Sequence, residues 1–153
     1  MYAFFAYNWQ VRDQWFAWCE DVPNEELLKD RIGGIGNILH TLLHIVDVEY
    51  SWVRAIQKKD DKPIDFSDYT TLRQVKALSD QYRDELEEYL QAEATTNKQK
   101  TVTASWLDGT FTKEEILHHI IAHEIHHIGQ LSVWAREIGK KPVSATVLDR
   151  GLF

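Results

Sequence analysis

All seven histidines of this chain fall in two stretches. His40 and His44 lie in the first; His118, His119, His123, His126 and His127 lie in the second. Through the second, apolar residues recur at helical spacing as Ile116, Ile120, Leu131, Trp134 and Ile138, and His123 and His127 fill the positions between them. Residues four apart on a helix project from one face, one turn apart. Two unpaired imidazoles on a core-facing stripe would each bury an unsatisfied polar group. A divalent ion removes that cost, because such a pair offers it two nitrogens at about 2.0–2.1 Å. A lone core histidine is more often simply hydrogen-bonded. Two in register, with a third on another long helix, favour a metal.

His44 is the third candidate. It borders the side of its helix lined by Thr41, Val48 and Trp52, beside the apolar stripe, which suits a ligand reaching across a helix–helix seam. His40 lies further round and His118 points away from His123, so both are expected at the surface. His119 and His126 flank the stripe, as groups behind the ligands or as replacement ligands.

Two carboxylates are candidate catalytic residues. Glu49 falls in the apolar rhythm after His44, where it could orient a ligand, act as acid or base, or pair with a buried arginine. Glu124 completes His123-Glu-Ile-His-His127, the H-E-x-x-H pattern in which the glutamate of a zinc peptidase is general base. A salt bridge is the simpler role for Glu124. The longer peptidase pattern fails, with Gln130 where a glycine is required and Val133 where a third histidine would stand. Di-iron proteins place E-x-x-H on two helices, whereas both copies here share one, and Asn37 stands where an acid would precede His40. Cys19, the single cysteine, sits among tryptophans and is read as packing.

Long periodic stretches carry these residues, with only three prolines and seven glycines to interrupt them. Helices are expected over Ala3–Glu20, Gly36–Lys58, Thr71–Ala92 and from the Thr112/Glu115 capping box to Ile138, where Gly139 ends the last. A short helical piece, Glu25–Lys29, would be capped by Asn24. Only Thr95–Phe111 has strand character, with a turn signal at Asp108-Gly109. The expected fold is all-α: a four-helix bundle, one domain over residues 1–153, with a short irregular or strand-like segment before the last helix. The tail from Lys140 should pack Val147, Leu148 and Phe153 on the outside. A second apolar row, Leu117, Ile121, Ile125 and Ile128, together with the aromatic first helix, exceeds what one core face needs and points to a homodimer.

Composition narrows the function classes. With 44% hydrophobic and 27% charged residues the chain is not a disordered one. A net charge of −7 repels phosphate backbones, so no nucleic-acid partner is expected. The longest uncharged run, Ile32–Val46, contains Asn37, His40 and His44 and falls short of the about 20 apolar residues that span a bilayer, so no membrane partner is expected either. The N-terminus has no basic region or cleavage site of a signal peptide. With one cysteine, a reducing, cytoplasmic location is expected.

The segment His44-Ile-Val-Asp-Val-Glu-Tyr-Ser-Trp52 resembles the H-x(4)-E-x-x-W segment of the DinB/YfiT-like metalloenzyme family. His119-Ile-Ile-Ala-His-Glu-Ile-His-His-Ile-Gly-Gln130 resembles the family's H-x(3)-H-x(3)-H-x-G-Q segment. Tyr7-Asn8-Trp9 and the Gly34–Leu39 entry to the second helix are similar too. The resemblance implies a four-helix bundle, often dimeric, with one divalent metal on His44, His123 and His127. Zinc leads as the metal, with nickel, manganese and iron(II) as alternatives.

Members with known chemistry use low-molecular-weight thiols, such as bacillithiol or mycothiol, in transfer or isomerisation, or are metal-dependent hydrolases. The expected function is therefore transfer of a low-molecular-weight thiol to an electrophilic small molecule. Alternatives are hydrolysis of a small ester or amide, and a non-catalytic metal-binding stress protein. Three neutral imidazoles would leave the ion its full charge and an open position, as in catalytic zinc sites. With unperturbed histidines titrating near about 6.5, metal affinity is expected to fall below about pH 6.

Overall fold

Helix α3 starts at Ile38, two residues later than the periodicity suggests, and the reason lies in its cap. Asn37 is extended, and its side-chain oxygen accepts from the His40 backbone N–H at 2.7 Å. Ile35 stays in the preceding loop, 38% exposed. The computed structural model describes residues 1–153. The other helices are α1 Tyr2–Cys19, α2 Asn24–Leu28, α4 Leu72–Glu93 and α5 Lys113–Glu137, with α3 ending at Ile56. A 3-10 turn, Phe66–Asp68, precedes α4. Capping boxes open α4 (Thr71 with Gln74) and α5 (Thr112 with Glu115). Asn24 does not cap α2. It lies inside the helix behind Pro23, and its amide donates to the Thr70 carbonyl.

The four long helices pack in a closed order, α3 against α4 and α5, and α1 against the same two. The core is one contiguous cluster drawn from all five helices and from Val22 and Val102. Helix α1 is buried on nearly every side because the C-terminal tail crosses it. Tyr7 Oη donates to the Ala145 carbonyl at 2.7 Å and Trp18 Nε1 to the Lys141 carbonyl at 2.9 Å. Val143, Val147 and Leu152 are the tail residues that reach the core. Phe153 packs on the outside, edge-on to Phe4 at 5.9 Å, whereas Leu148 is exposed, because the chain turns at Asp149 and brings Leu152 inward instead.

The segment before α5 is a true antiparallel sheet, so the fold is predominantly helical rather than all-α. Strands β1 Thr101–Ala104 and β2 Leu107–Thr112 pair Thr101 with Thr112, Val102 with Phe111 and Ala104 with Leu107. The turn is therefore Ser105-Trp106. Asp108-Gly109, expected to form it, lies within β2, where Gly109 at φ +127° takes up a register shift. Buried Lys113 fixes the hairpin base by donating to the Glu93 and Thr96 carbonyls. Of the second apolar row on α5, Leu117, Ile121 and Ile128 are buried within the chain and Ile125 alone is exposed. No helix is long and apolar enough to cross a membrane.

Candidate metal centre

The α3–α5 seam brings three imidazoles to one point. His123 Nε2 lies 3.0 Å from His44 Nε2 and 3.1 Å from His127 Nε2. The ligand atoms of the three all fall within 4.8 Å of one another. The outer partner of His127 fixes its tautomer. Its Nδ1 is 2.8 Å from Gln130 Oε1, an oxygen that only accepts, so Nδ1 carries the proton and Nε2 presents a bare lone pair to the cluster. A proton on His123 Nε2 can point at one neighbour but not at both. Protons alone therefore leave one nitrogen pair facing lone pair to lone pair, and a cation satisfies all three. About 3.3 Å separates two nitrogens on a tetrahedral ion with bonds of about 2.05 Å, close to the contacts seen. The trio could hold a metal ion.

Electrostatics keep the rings ready to bind. Burial, reinforced by the neighbouring His127, lowers His44 to about 4. Burial, with His127, His44, His119 and His126 around it, lowers His123 to about 3. Burial lowers His127 as well, partly countered by its bond to Gln130. At neutral pH all three rings are neutral.

The Gln130 amide lies close against Gly34. A Cβ there would come within 2.2 Å of Gln130 Oε1, and φ of +50° further disfavours other residues. The loop before α3 thus shapes the outer side of the site.

The remaining histidines stay outside the cluster. His40 is half-buried rather than free at the surface, with its Nε2 3.0 Å from the Tyr69 carbonyl and its ring edge-on to Phe66. His118 is exposed, its Nδ1 bonded to the Glu114 carbonyl. Exposed His126 is 3.4 Å from the Gln130 amide nitrogen. His119 lies beside His123, with ring centroids 5.7 Å apart.

Glu49 and Glu124 meet on one arginine. Arg12, wholly buried on α1, donates to Glu49 at 3.0 and 3.1 Å and to Glu124 at 2.9 and 2.6 Å. Trp9 Nε1 also donates to Glu49. Burial opposes the Arg12 charge, but Glu124 and Glu49 more than offset it and raise its pKa. Burial pushes the Glu124 carboxyl up, against the pull of Arg12, since two carboxylates share one cation in a dry site. Arg12 thus ties the two ligand-bearing helices to α1 at the level of the imidazoles. Cys19 is buried in the core, and burial pushes its thiol up to about 12, so it is not a nucleophile.

Sequence reasoning quoted Gln130 only as the end of the family-like segment, and it allowed Glu49 a buried arginine without identifying Arg12. A signal existed for each. Arg12 is the only cation of α1, and it continues the buried face of Phe5, Asn8, Trp15 and Phe16. Gln130 is placed three residues after His127, on the same side of α5.

The profile of the DinB family matches residues 1–151 of the chain. The "Uncharacterized protein YizA" of Bacillus subtilis (strain 168) is 58% identical over 153 residues, an alignment covering 99% of this chain and 96% of that one.

Proposed function

The chain belongs to the DinB family, and on that premise we propose that it is a metal-dependent enzyme joining a low-molecular-weight thiol to an electrophilic small molecule. The observation that carries the reading is the convergence of three neutral imidazole nitrogens, with no carboxylate or thiolate among them. His44, His123 and His127 would hold one divalent ion, zinc first. When bound, such an ion makes a coordinated thiol or water nucleophilic at neutral pH. The pairing of α1 and α3 with both α4 and α5 supports a four-helix bundle as the scaffold.

What surrounds the imidazoles argues against hydrolysis with a carboxylate as the base. That route needs a carboxylate free to take a proton from water. Glu49 and Glu124 are both engaged by Arg12. A metal-coordinated thiol needs no such base, so the two glutamates are read as positioning residues that set the spacing of α3 and α5. The same engagement argues against Glu124 as the base of a peptidase.

A homodimer belongs to the proposal and has exposed Phe4 and Ile125 to bury; sedimentation at tens of micromolar checks it. The main test is elemental analysis of protein purified without an affinity tag, followed by thiol transfer to epoxides and chloro-aromatics. Near-stoichiometric metal with metal-dependent transfer is expected. Turnover of small esters without any thiol would favour the hydrolase. Bound metal with neither reaction would favour a binding protein.

A further inference from the structure

Trp52 stands about two turns beyond His44 on α3, and aromatic side chains gather around it. Its indole meets His119 edge-on at 5.9 Å, Trp106 at 5.2 Å and Phe111 at 5.9 Å. With Leu107, Phe111 and Ile116 it walls a pocket of about 180 Å3 that is open to solvent, in which Glu115 and His119, both exposed, are the polar lining residues. The Glu115 carboxylate is already engaged at the start of α5, accepting from the Thr112 N–H at 2.7 Å and hydroxyl at 2.8 Å. His119 is the polar lining residue without such a partner, and its ring centroid lies 5.7 Å from that of His123. Leu107 is 48% exposed, at the mouth of the pocket, and Trp106, which packs on the far side of Trp52, is 42% exposed.

Size and chemistry select the occupant. An apolar protein cavity of about 150 Å3 accepts a benzene molecule. Aromatic walls set edge-on give a planar ring the arrangement that aromatic pairs prefer. We propose that this cavity receives one aromatic ring of the substrate whose reacting atom lies at the His44–His123–His127 site. The inference deepens the metalloenzyme reading and rests on it. The hairpin is then part of the binding site.

The test uses protein loaded with cobalt(II) and two hydroxamates, which ligate the metal without any turnover. Acetohydroxamate probes the open metal position alone, and 3-phenylpropanohydroxamate adds a ring on a flexible stem. Binding is followed through the cobalt absorption bands. The phenyl compound should bind at least tenfold more tightly than acetohydroxamate. That advantage should vanish in Leu107→Arg, a change at the half-exposed rim that places a charge across the mouth. Acetohydroxamate affinity should stay within twofold between the two proteins. Equal affinity of both compounds for the unaltered protein, or an advantage that survives Leu107→Arg, overturns the ring site while leaving the metal reading intact. Failure of acetohydroxamate to bind cobalt-loaded protein overturns the open metal position, and the ring site with it.

Discussion

Gln130 Oε1 accepts a hydrogen bond from His127 Nδ1 at 2.8 Å. It fixes both the tautomer and the plane of a ligand ring. Gln130→Leu keeps the volume and removes the acceptor, so metal affinity should fall by about 10–100-fold while the fold persists. Gly34→Ala should act in the same direction, because its Cβ would collide with the same oxygen. Chelator competition measures both. An unchanged affinity in Gln130→Leu would show that the ring is oriented by packing alone.

Removing one of the three converging nitrogens should cost more. His44→Ala, His123→Ala and His127→Ala are each expected to strip most of the metal, as read by elemental analysis. His40→Ala is the internal control on α3. Its ring is tied to Tyr69 and Phe66 rather than to the cluster, so metal should be retained. His118→Ala should likewise retain it. Full stoichiometry in His123→Ala or His127→Ala would place the metal elsewhere.

Periodicity exposed the long helices and the shared face of His123 and His127 because both are local properties of a 3.6-residue repeat. His44 could be assigned to the seam because its side of the α3 stripe is itself a local pattern. What depends on the meeting of distant segments stayed hidden. The Arg12 bridge requires three helices to be placed at once. The Asp108-Gly109 pair looked like a turn and became a bulge, since the register was set by Val102 opposite Phe111 and by the packing of Trp52 on Trp106 and Phe111. The row Leu117, Ile121 and Ile128 looked unpartnered because one face seemed enough for the core. In the folded chain α5 is covered on more than one side.

The buried triad gives a stability prediction. Arg12 is wholly buried with one carboxylate on either side. Arg12→Met fills much the same space but leaves two carboxylates without a cation, which should destabilise the protein by about 3–5 kcal/mol. The combined change Arg12→Met, Glu49→Leu, Glu124→Leu removes every charge. It should recover most of that loss, since an apolar replacement of a buried ion pair is often neutral. Denaturant unfolding of the metal-free proteins measures both. A triple variant as unstable as Arg12→Met would mean that the charges, and not only their balance, hold the helices in place.

The lowered histidines set the pH behaviour of both the fold and the metal. In the unfolded chain each titrates near about 6.5. In the folded protein His44 is lowered to about 4 and His123 to about 3, in both cases chiefly by burial. Between those values the unfolded chain binds protons that the folded chain refuses. Stability therefore rises with pH across that window, is complete above about pH 6.5, and is lost as pH falls towards 4 and below. The melting temperature of the metal-free protein should be level above pH 7 and decline steadily from about pH 6.5 downward. Metal competes with protons for the folded protein's nitrogens, so the same shifts extend metal retention to lower pH than free imidazoles would allow. Bound metal raises the melting temperature by mass action. The difference between metal-loaded and metal-free protein should then persist to about pH 5, rather than closing below pH 6 as unperturbed histidines would require. Circular dichroism melts from pH 4 to 8 check both curves. Closure of that difference between pH 7 and 6 would mean that the three rings titrate as free imidazoles, and are neither as dry nor as close together as the α3–α5 seam places them.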